Sequence, residues 1–227
     1  MTAIELAYER NFDTLLQDSI EFMLEAMALH TVYDKNHTLA RASIIFSLLI
    51  LEATANTCIE HLDLETSIHK EIDHLPVLGK FDFYLRTKFR NKRLERGEKQ
   101  IEWVKELKNI RDGLVHLKPH KVEWETSQDG AHASASAVRT KALNISTNPK
   151  FWDSEEAAKV ARAVHGFLYY FFKNKCKYSA SKVASLLFSE SKVPGDDNHF
   201  LVCMDREIKE KLLAQGIDLS YVKIAWA

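Results

Sequence analysis

The sequence predicts an all-α protein built as a helical bundle, and three observations carry that prediction. Seven glycines and four prolines among 227 residues are under half the roughly 12% of average usage, too few for the many tight turns of an all-β fold. Hydrophobic residues make up 46% of the chain, enough to bury a core and to exclude a wholly disordered polypeptide. Apolar side chains recur at three- and four-residue steps over long stretches, which is the period of an amphipathic helix. At roughly 150 residues per domain the length suits one large domain or one and a half. We read it as a bundle over residues 1–178, carrying an insertion at about 118–150, with residues 179–227 as a C-terminal extension packed on it.

The first helix is expected over about residues 3–32, where Ile4, Tyr8, Phe12, Leu15, Leu16, Ile20, Met23 and Met27 form one apolar stripe opposite Glu and Asp. Asp34-Lys35-Asn36 breaks the pattern. The second helix is expected from about Thr38 to Leu62; Ile44 to Leu51 is apolar on nearly all sides, as in a helix at the centre of a bundle. Pro76 and Gly79 punctuate the next stretch, and a helix carrying Phe81, Tyr84, Leu85 and Phe89 follows. Another helix is expected from Glu98 to His116, with Trp103, Val104, Leu107, Ile110 and Leu114 on one face. Pro119 cannot continue it.

Val122-Glu123-Trp124-Glu125 alternates apolar and charged residues, and Gln128-Asp129-Gly130 is a turn signal. Ala131 to Ala137 is a small-residue run expected to be mobile, and Val138 to Ile145 is the expected partner strand of an inserted β-hairpin or long loop. A strong helix follows over Ser154 to Lys177, capped by Asp153 or Ser154, with Val160, Val164, Phe167, Leu168, Phe171 and Phe172 buried. The extension reads as a helix over Ser181 to Phe188, a turn at Pro194 to Asp197, a helix near Asp205 to Gln215 and a short strand over Tyr221 to Trp226.

The net charge of −1 conceals an uneven distribution. Residues 1–75 carry 4 Lys/Arg against 13 Asp/Glu, and residues 86–121 carry 12 Lys/Arg against 5 Asp/Glu. The basic segment points to an anionic partner. The alternative is that the two charged surfaces simply pair with each other. Near-neutrality overall excludes a protein that coats nucleic acid indiscriminately. The three cysteines are few, odd in number and far apart, as suits a reducing cytoplasm. The N-terminus lacks the pattern of a secretory signal, and the run Ile44–Leu51 is well short of the ~20 residues that span a bilayer. We therefore expect a cytoplasmic protein with no membrane partner.

Lys108 to Pro119 holds the residues with chemical potential. Arg111, Asp112 and His116 place a guanidinium, a carboxylate and an imidazole at the end of an amphipathic helix. A guanidinium grips phosphate oxygens in a fork and stabilises added negative charge. An imidazole moves a proton to or from a hydroxyl near neutral pH. RNA carries a 2′-hydroxyl beside its phosphate, so the two groups could act on it without a metal. Five residues apart on an ideal helix, Arg111 and His116 differ by about 140° and 7.5 Å of rise, so two copies across a two-fold axis converge more easily than one. Asp112 and His116 are i,i+4 neighbours able to hydrogen-bond.

Arg111-Asp112-Gly113-Leu114-Val115-His116 resembles the Arg-x4-His motif of HEPN domains (higher eukaryotes and prokaryotes nucleotide-binding). Leu51-Glu52-Ala53-Thr54-Ala55-Asn56 resembles the Glu-Ala-x-x-Asn stretch in the second helix of several HEPN groups. The resemblance covers about residues 1–117 and 150–178. It implies a HEPN-like helical bundle and, for many members, a metal-independent endoribonuclease of toxin–antitoxin, abortive-infection or CRISPR systems. It also implies Arg111 and His116 as catalytic residues, with Asp112, Glu52 and Asn56 as supporting polar groups. The site would form across a homodimer, and an antitoxin protein is a further partner that the resemblance suggests. Glu52 follows the most apolar run, where an unpaired carboxylate is costly; Arg111 is a partner that would relieve that cost.

Lys108, Lys118, Arg90 and Arg93 are the expected RNA-phosphate contacts, within a cluster that also holds Arg86, Lys88, Lys92 and Arg96. His116 and His120 have a metal-ligand spacing, but Pro119 lies between them and no third ligand is near, so neither a metal nor a cofactor is expected. Phosphate loops, dinucleotide fingerprints and zinc-protease motifs are absent from the sequence. The competing readings are a non-catalytic HEPN-like module that binds RNA, a nucleotide or a protein, and a scaffold in which Arg111 is merely ion-paired while His116 caps its helix.

Overall fold

The computed structural model describes residues 10–29, 33–116, 119, 121–126, 133–188 and 202–227. The expected turns at 128–130 and 194–197, together with Ile4, Tyr8, Lys118 and His120, lie outside them.

The all-α reading holds. The bundle consists of α1 (Phe12–Ala28), α2 (Tyr33–Glu60), α3 (Thr66–Asp73), α4 (Val77–Lys88), α5 (Lys99–Val115) and α6 (Ser154–Tyr169). The long helix expected after Ser154 is α-helical only to Tyr169. It continues as a π-helical segment, Tyr170–Cys176, and stops where Lys177 takes a left-handed conformation at φ 61°. The extension contributes α7 (Ala180–Leu187) and α8 (Arg206–Ala214).

The element α3 is absent from the sequence reading, because it is short and its one buried residue, Ile72, leaves no apolar stripe to detect. Likewise α4 starts at Val77, directly after Pro76, and contains Gly79 within its first turn. Proline fits there because its missing N–H has no partner to lose at a helix start.

Packing of α2 sets the architecture. Ile44, Leu48, Ile50 and Leu51 are buried in the core shared with α1 and α6. Polar groups reinforce the joint with α1: Ser43 Oγ donates to the Ser19 carbonyl at 2.7 Å, and Asn36 Nδ2 donates to the Ala26 carbonyl at 2.9 Å. The latter satisfies one of the carbonyls that a helix C-terminus leaves open. The expectation of a helix covered on all sides is corrected on one stripe, where Ile45 and Leu49 are 41% and 42% exposed. Residues 35–60 are long and apolar enough to cross a membrane by length and composition alone, although the eight-residue apolar run within them is too short. In this fold 61% of the most apolar window is buried against protein, as in a core helix.

Aromatic contacts lock α4 to α6 and to its π-helical continuation: the Phe81 ring centroid lies 5.0 Å from that of Phe167 and 4.5 Å from that of Phe171. Phe167 and Tyr170 are both buried in the core. Trp103 of α5 packs on Gly166 of α6, where a Cβ would stand 3.2 Å from the indole.

The insertion contains a hairpin, but not with the expected second strand. β1 (Val122–Thr126) pairs antiparallel with β2 (Ala133–Ala137), placing Trp124 opposite Ala135. The small-residue run is thus the partner strand, and residues 138–147 return to the bundle with one bridge, Arg139 to Ser146. The nearer segment closes the shorter loop, which outweighs the low strand preference of Ala and Ser. Trp124 is 69% exposed.

The extension packs on the bundle. The His165 ring on α6 shares a 2.9 Å hydrogen bond with the Tyr221 hydroxyl, and Phe12 and Phe188 pack with ring centroids 5.8 Å apart. The expected C-terminal strand is reduced to β4 (Ala225–Trp226), parallel to β3 (Cys203–Met204). All three cysteines are free thiols.

Candidate functional site

The motif helix α5 ends where the sequence indicated, with His116 at its C-cap. Its buried residues, Ile101, Val104, Leu107 and Ile110, turn the remaining side chains outward in a fixed order around the helix. Arg111 faces α2, and its Nη2 donates to Glu52 Oε1 at 2.7 Å. Both side chains are about a third exposed, at 32% and 28%. Leu48, Leu51, Val77, Val104 and Leu107 floor a niche beneath them, and Lys108 completes its rim. Its volume is about 10 Å³, so it holds no substrate within one chain.

Asp112 is used differently from the expectation. Its carboxylate accepts from Lys108 Nζ at 2.5 Å and lies 3.4 Å from Arg111 Nε. The hydrogen bond from Lys108, with the Arg111 charge beside it, holds the Asp112 carboxyl below the ordinary carboxylate range. His116 is exposed; its backbone N–H donates to the Asp112 carbonyl at 3.1 Å, and its ring makes no hydrogen bond among the described residues. The possible Asp112–His116 bond is therefore not formed: Lys108 is also an i,i+4 neighbour, and its ammonium competes for the same oxygens.

Asn56 shares the helix face of Glu52, but its side chain serves another partner. Lys80 Nζ donates to Asn56 Oδ1 at 2.7 Å and to Asp73 Oδ1 at 2.9 Å. This nearly buried lysine ties α2, α3 and α4 together, and its ammonium draws the Asp73 carboxyl below its usual range. Nothing in the sequence spacing marks Lys80, because its partners lie on separate helices.

Of the expected phosphate contacts, Lys108 belongs to the Arg111 cluster. Arg90 and Arg93 are exposed in the link between α4 and α5, and Lys118 is outside the described residues. Among the described residues, one ion pair joins the acidic segment 1–75 to the basic segment 86–121, namely Glu52 with Arg111. The other described cations of the basic segment form no ion pair with the acidic segment. The Arg86 side chain meets Asp82 at 2.7 Å within α4, and Lys105 meets Glu102 at 2.5 Å within α5.

The arrangement offers an arginine held against a carboxylate, a second ion pair beside it and a free imidazole one helical turn further on. No family profile, curated protein or solved structure matches the chain.

Proposed function

We propose that the chain is a metal-independent endoribonuclease of HEPN type, acting as a homodimer. The observation that carries this reading is the end of α5, where Arg111 is oriented by Glu52 and the exposed His116 ring stands at the same helix terminus without a hydrogen bond among the described residues. Arg111 and His116 point about 140° apart around the helix, so one chain does not enclose a phosphate between them. Ile45 and Leu49 supply the reason for a second copy, because they are exposed apolar residues on the α2 face that carries Glu52 and Asn56. Burying them would bring two motifs together.

In the reaction, the neutral His116 imidazole removes the proton from the 2′-hydroxyl. The 2′-oxygen attacks phosphorus, and the bond to the 5′-oxygen breaks. The second copy's imidazole, protonated, returns a proton to that leaving oxygen. The products are a 2′,3′-cyclic phosphate and a 5′-hydroxyl. The Arg111 guanidinium stabilises the charge that gathers on the phosphoryl oxygens, the role in which preorganised donors contribute most. A role as a toxin or phage-defence effector, restrained by a protein antitoxin, rests on the motif resemblance. It predicts growth arrest on expression of wild type but not of His116→Ala.

The test is cleavage of single-stranded RNA in chelator. Wild type cleaves, and Arg111→Ala and His116→Ala each lose at least about 100-fold in rate, the usual scale for removing a proton-transfer group or an oxyanion donor. Metal-independent cleavage that survives both substitutions would sink the site. The second reading, RNA binding without cleavage, is favoured by the engagement of Arg111 and Asp112 in ion pairs. It predicts RNA binding with intact RNA after long incubation.

A further inference from the structure

A larger concavity lies between α4 and the first half of α5, on the far side of Lys105 from the Arg111 niche. Its volume is about 760 Å³, within the range of clefts that accept a nucleotide-sized ligand. Arg86, Arg93, Arg96 and Lys105 line it against only two carboxylates, Asp82 and Glu95.

Both carboxylates are already engaged. Asp82 Oδ2 accepts from Arg86 Nε at 2.7 Å, while its Oδ1 accepts from the Leu94 backbone N–H at 2.7 Å. Glu95 Oε1 accepts from Lys175 Nζ at 2.5 Å, and that bond holds its carboxyl below the ordinary range. Arg93 and Arg96 are exposed and form no ion pair among the described residues. They therefore present two free guanidinium forks. The Asp82 bond to Leu94 fixes the backbone of the segment that carries them, so the two arginines are held at the cleft before any ligand arrives. The cleft is not simply a charged surface, because Leu78, Leu94 and Ile101 give it an apolar lining.

We infer that this cleft seats a nucleotide unit of an RNA strand, with Arg93 and Arg96 on phosphate and the base or ribose against the apolar lining. The inference rests on the RNA reading above and extends it from a site of cleavage to a site of strand binding. Guanidinium forks match phosphate oxygens in pairs, and an apolar wall accepts a base of any identity. Position agrees with this assignment. Lys105, Lys108 and Arg111 wind round α5 in steps of about 60°, with about 9 Å of rise and about 120° of turn between the first and the last, so Lys108 bridges the two faces. A strand anchored in the cleft therefore reaches the Arg111 motif.

The test is fluorescence anisotropy with a labelled single-stranded RNA of about 12 nucleotides, a length on the scale of single-strand binding sites. The double variant Arg93→Glu/Arg96→Glu is compared with Lys182→Glu, an exposed charge reversal on α7, away from the cleft and from the basic segment. The double variant is expected to weaken binding by at least tenfold and to make the salt dependence shallower by about two in slope, one for each lost phosphate contact. Lys182→Glu stays within about threefold of wild type. Circular dichroism of both variants confirms that each is folded. A parallel titration with adenosine monophosphate separates the two sources of the same chemistry. Strand binding that is much tighter than mononucleotide binding assigns the cleft to RNA; equal affinity for the two, lost together in the double variant, assigns it to a free nucleotide and overturns the strand assignment.

Unchanged RNA affinity in the double variant also overturns the inference, even if His116→Ala abolishes cleavage. Weakened affinity in a protein that never cleaves RNA upholds the cleft and removes the catalytic reading instead.

Discussion

The Arg111 guanidinium donates to Glu52 across 2.7 Å, and that contact joins the motif helix to the centre of the bundle over 59 residues of sequence. The pair is neither fully buried nor fully solvated. A double-mutant cycle with Arg111→Ala, Glu52→Ala and the combination should give a coupling of about 1 kcal/mol, at the upper end for surface pairs. Urea unfolding measures it, and raised salt should shrink it. Zero coupling at low salt would mean that the contact does not hold in solution.

Gly166 sets how closely the motif helix approaches α6. A Cβ at this position would stand 3.2 Å from the Trp103 ring. Gly166→Leu should destabilise the fold by about 2 kcal/mol, because the added side chain overpacks the helix joint. Trp103→Ala in the same chain should recover part of that loss. If the two effects merely add in thermal unfolding, the contact is not the cause.

Glu156 is a buried carboxylate in the first turn of α6. Its Oε1 accepts from Arg139 at 2.6 Å and from the Ser146 N–H at 2.9 Å, while Oε2 has no partner among the described residues. Burial pushes its carboxyl above the usual range, with the Ser146 bond and Arg139 opposing. Arg139→Ala leaves that carboxylate without its cation and should cost about 2 kcal/mol, less than for a fully buried pair because Arg139 is itself half-exposed. Glu156→Gln should cost less than Arg139→Ala. Denaturant midpoints of the two variants in the reverse order would contradict this account.

His165 supplies a pH dependence of stability. Burial pushes its imidazole down to about 4. The unfolded chain titrates near the ordinary histidine value of about 6.5, so the unfolded state binds the proton first. Stability from the neutral ring is full above about pH 6.5 and falls as the pH drops toward 4, with about 2 kcal/mol lost by pH 5. His165→Gln does not titrate there. The difference between wild type and His165→Gln in chemical denaturation should therefore change with pH over that window. A constant difference from pH 7 to 5 would show that the imidazole is not held neutral by the fold.

Much of the molecule was legible in the sequence because its signals are local. The three- and four-residue recurrence of Phe12, Leu16, Ile20 and Met23 marks a buried helix face wherever the helix packs, and all four are buried in α1. The termination of α5 before Pro119 follows from proline's missing N–H. Glu52, placed after an apolar run, required a cation, and Arg111 was a candidate for it.

Only the tertiary structure decided which polar groups meet. Lys80 of α4 takes Asn56 of α2 and Asp73 of α3, so Asn56 does not join the Arg111 cluster. It also left Ile45 and Leu49 at the surface of a helix whose sequence is apolar on nearly every side. The same packing opened the Arg93–Arg96 cleft two turns of α5 away from the motif. Periodicity specifies the faces of a single helix, because the 3.6-residue repeat is a property of one backbone. The rotation and crossing of helices depend on how side-chain ridges from separate segments interlock. Ion pairs, exposed stripes and clefts between helices are set at that step.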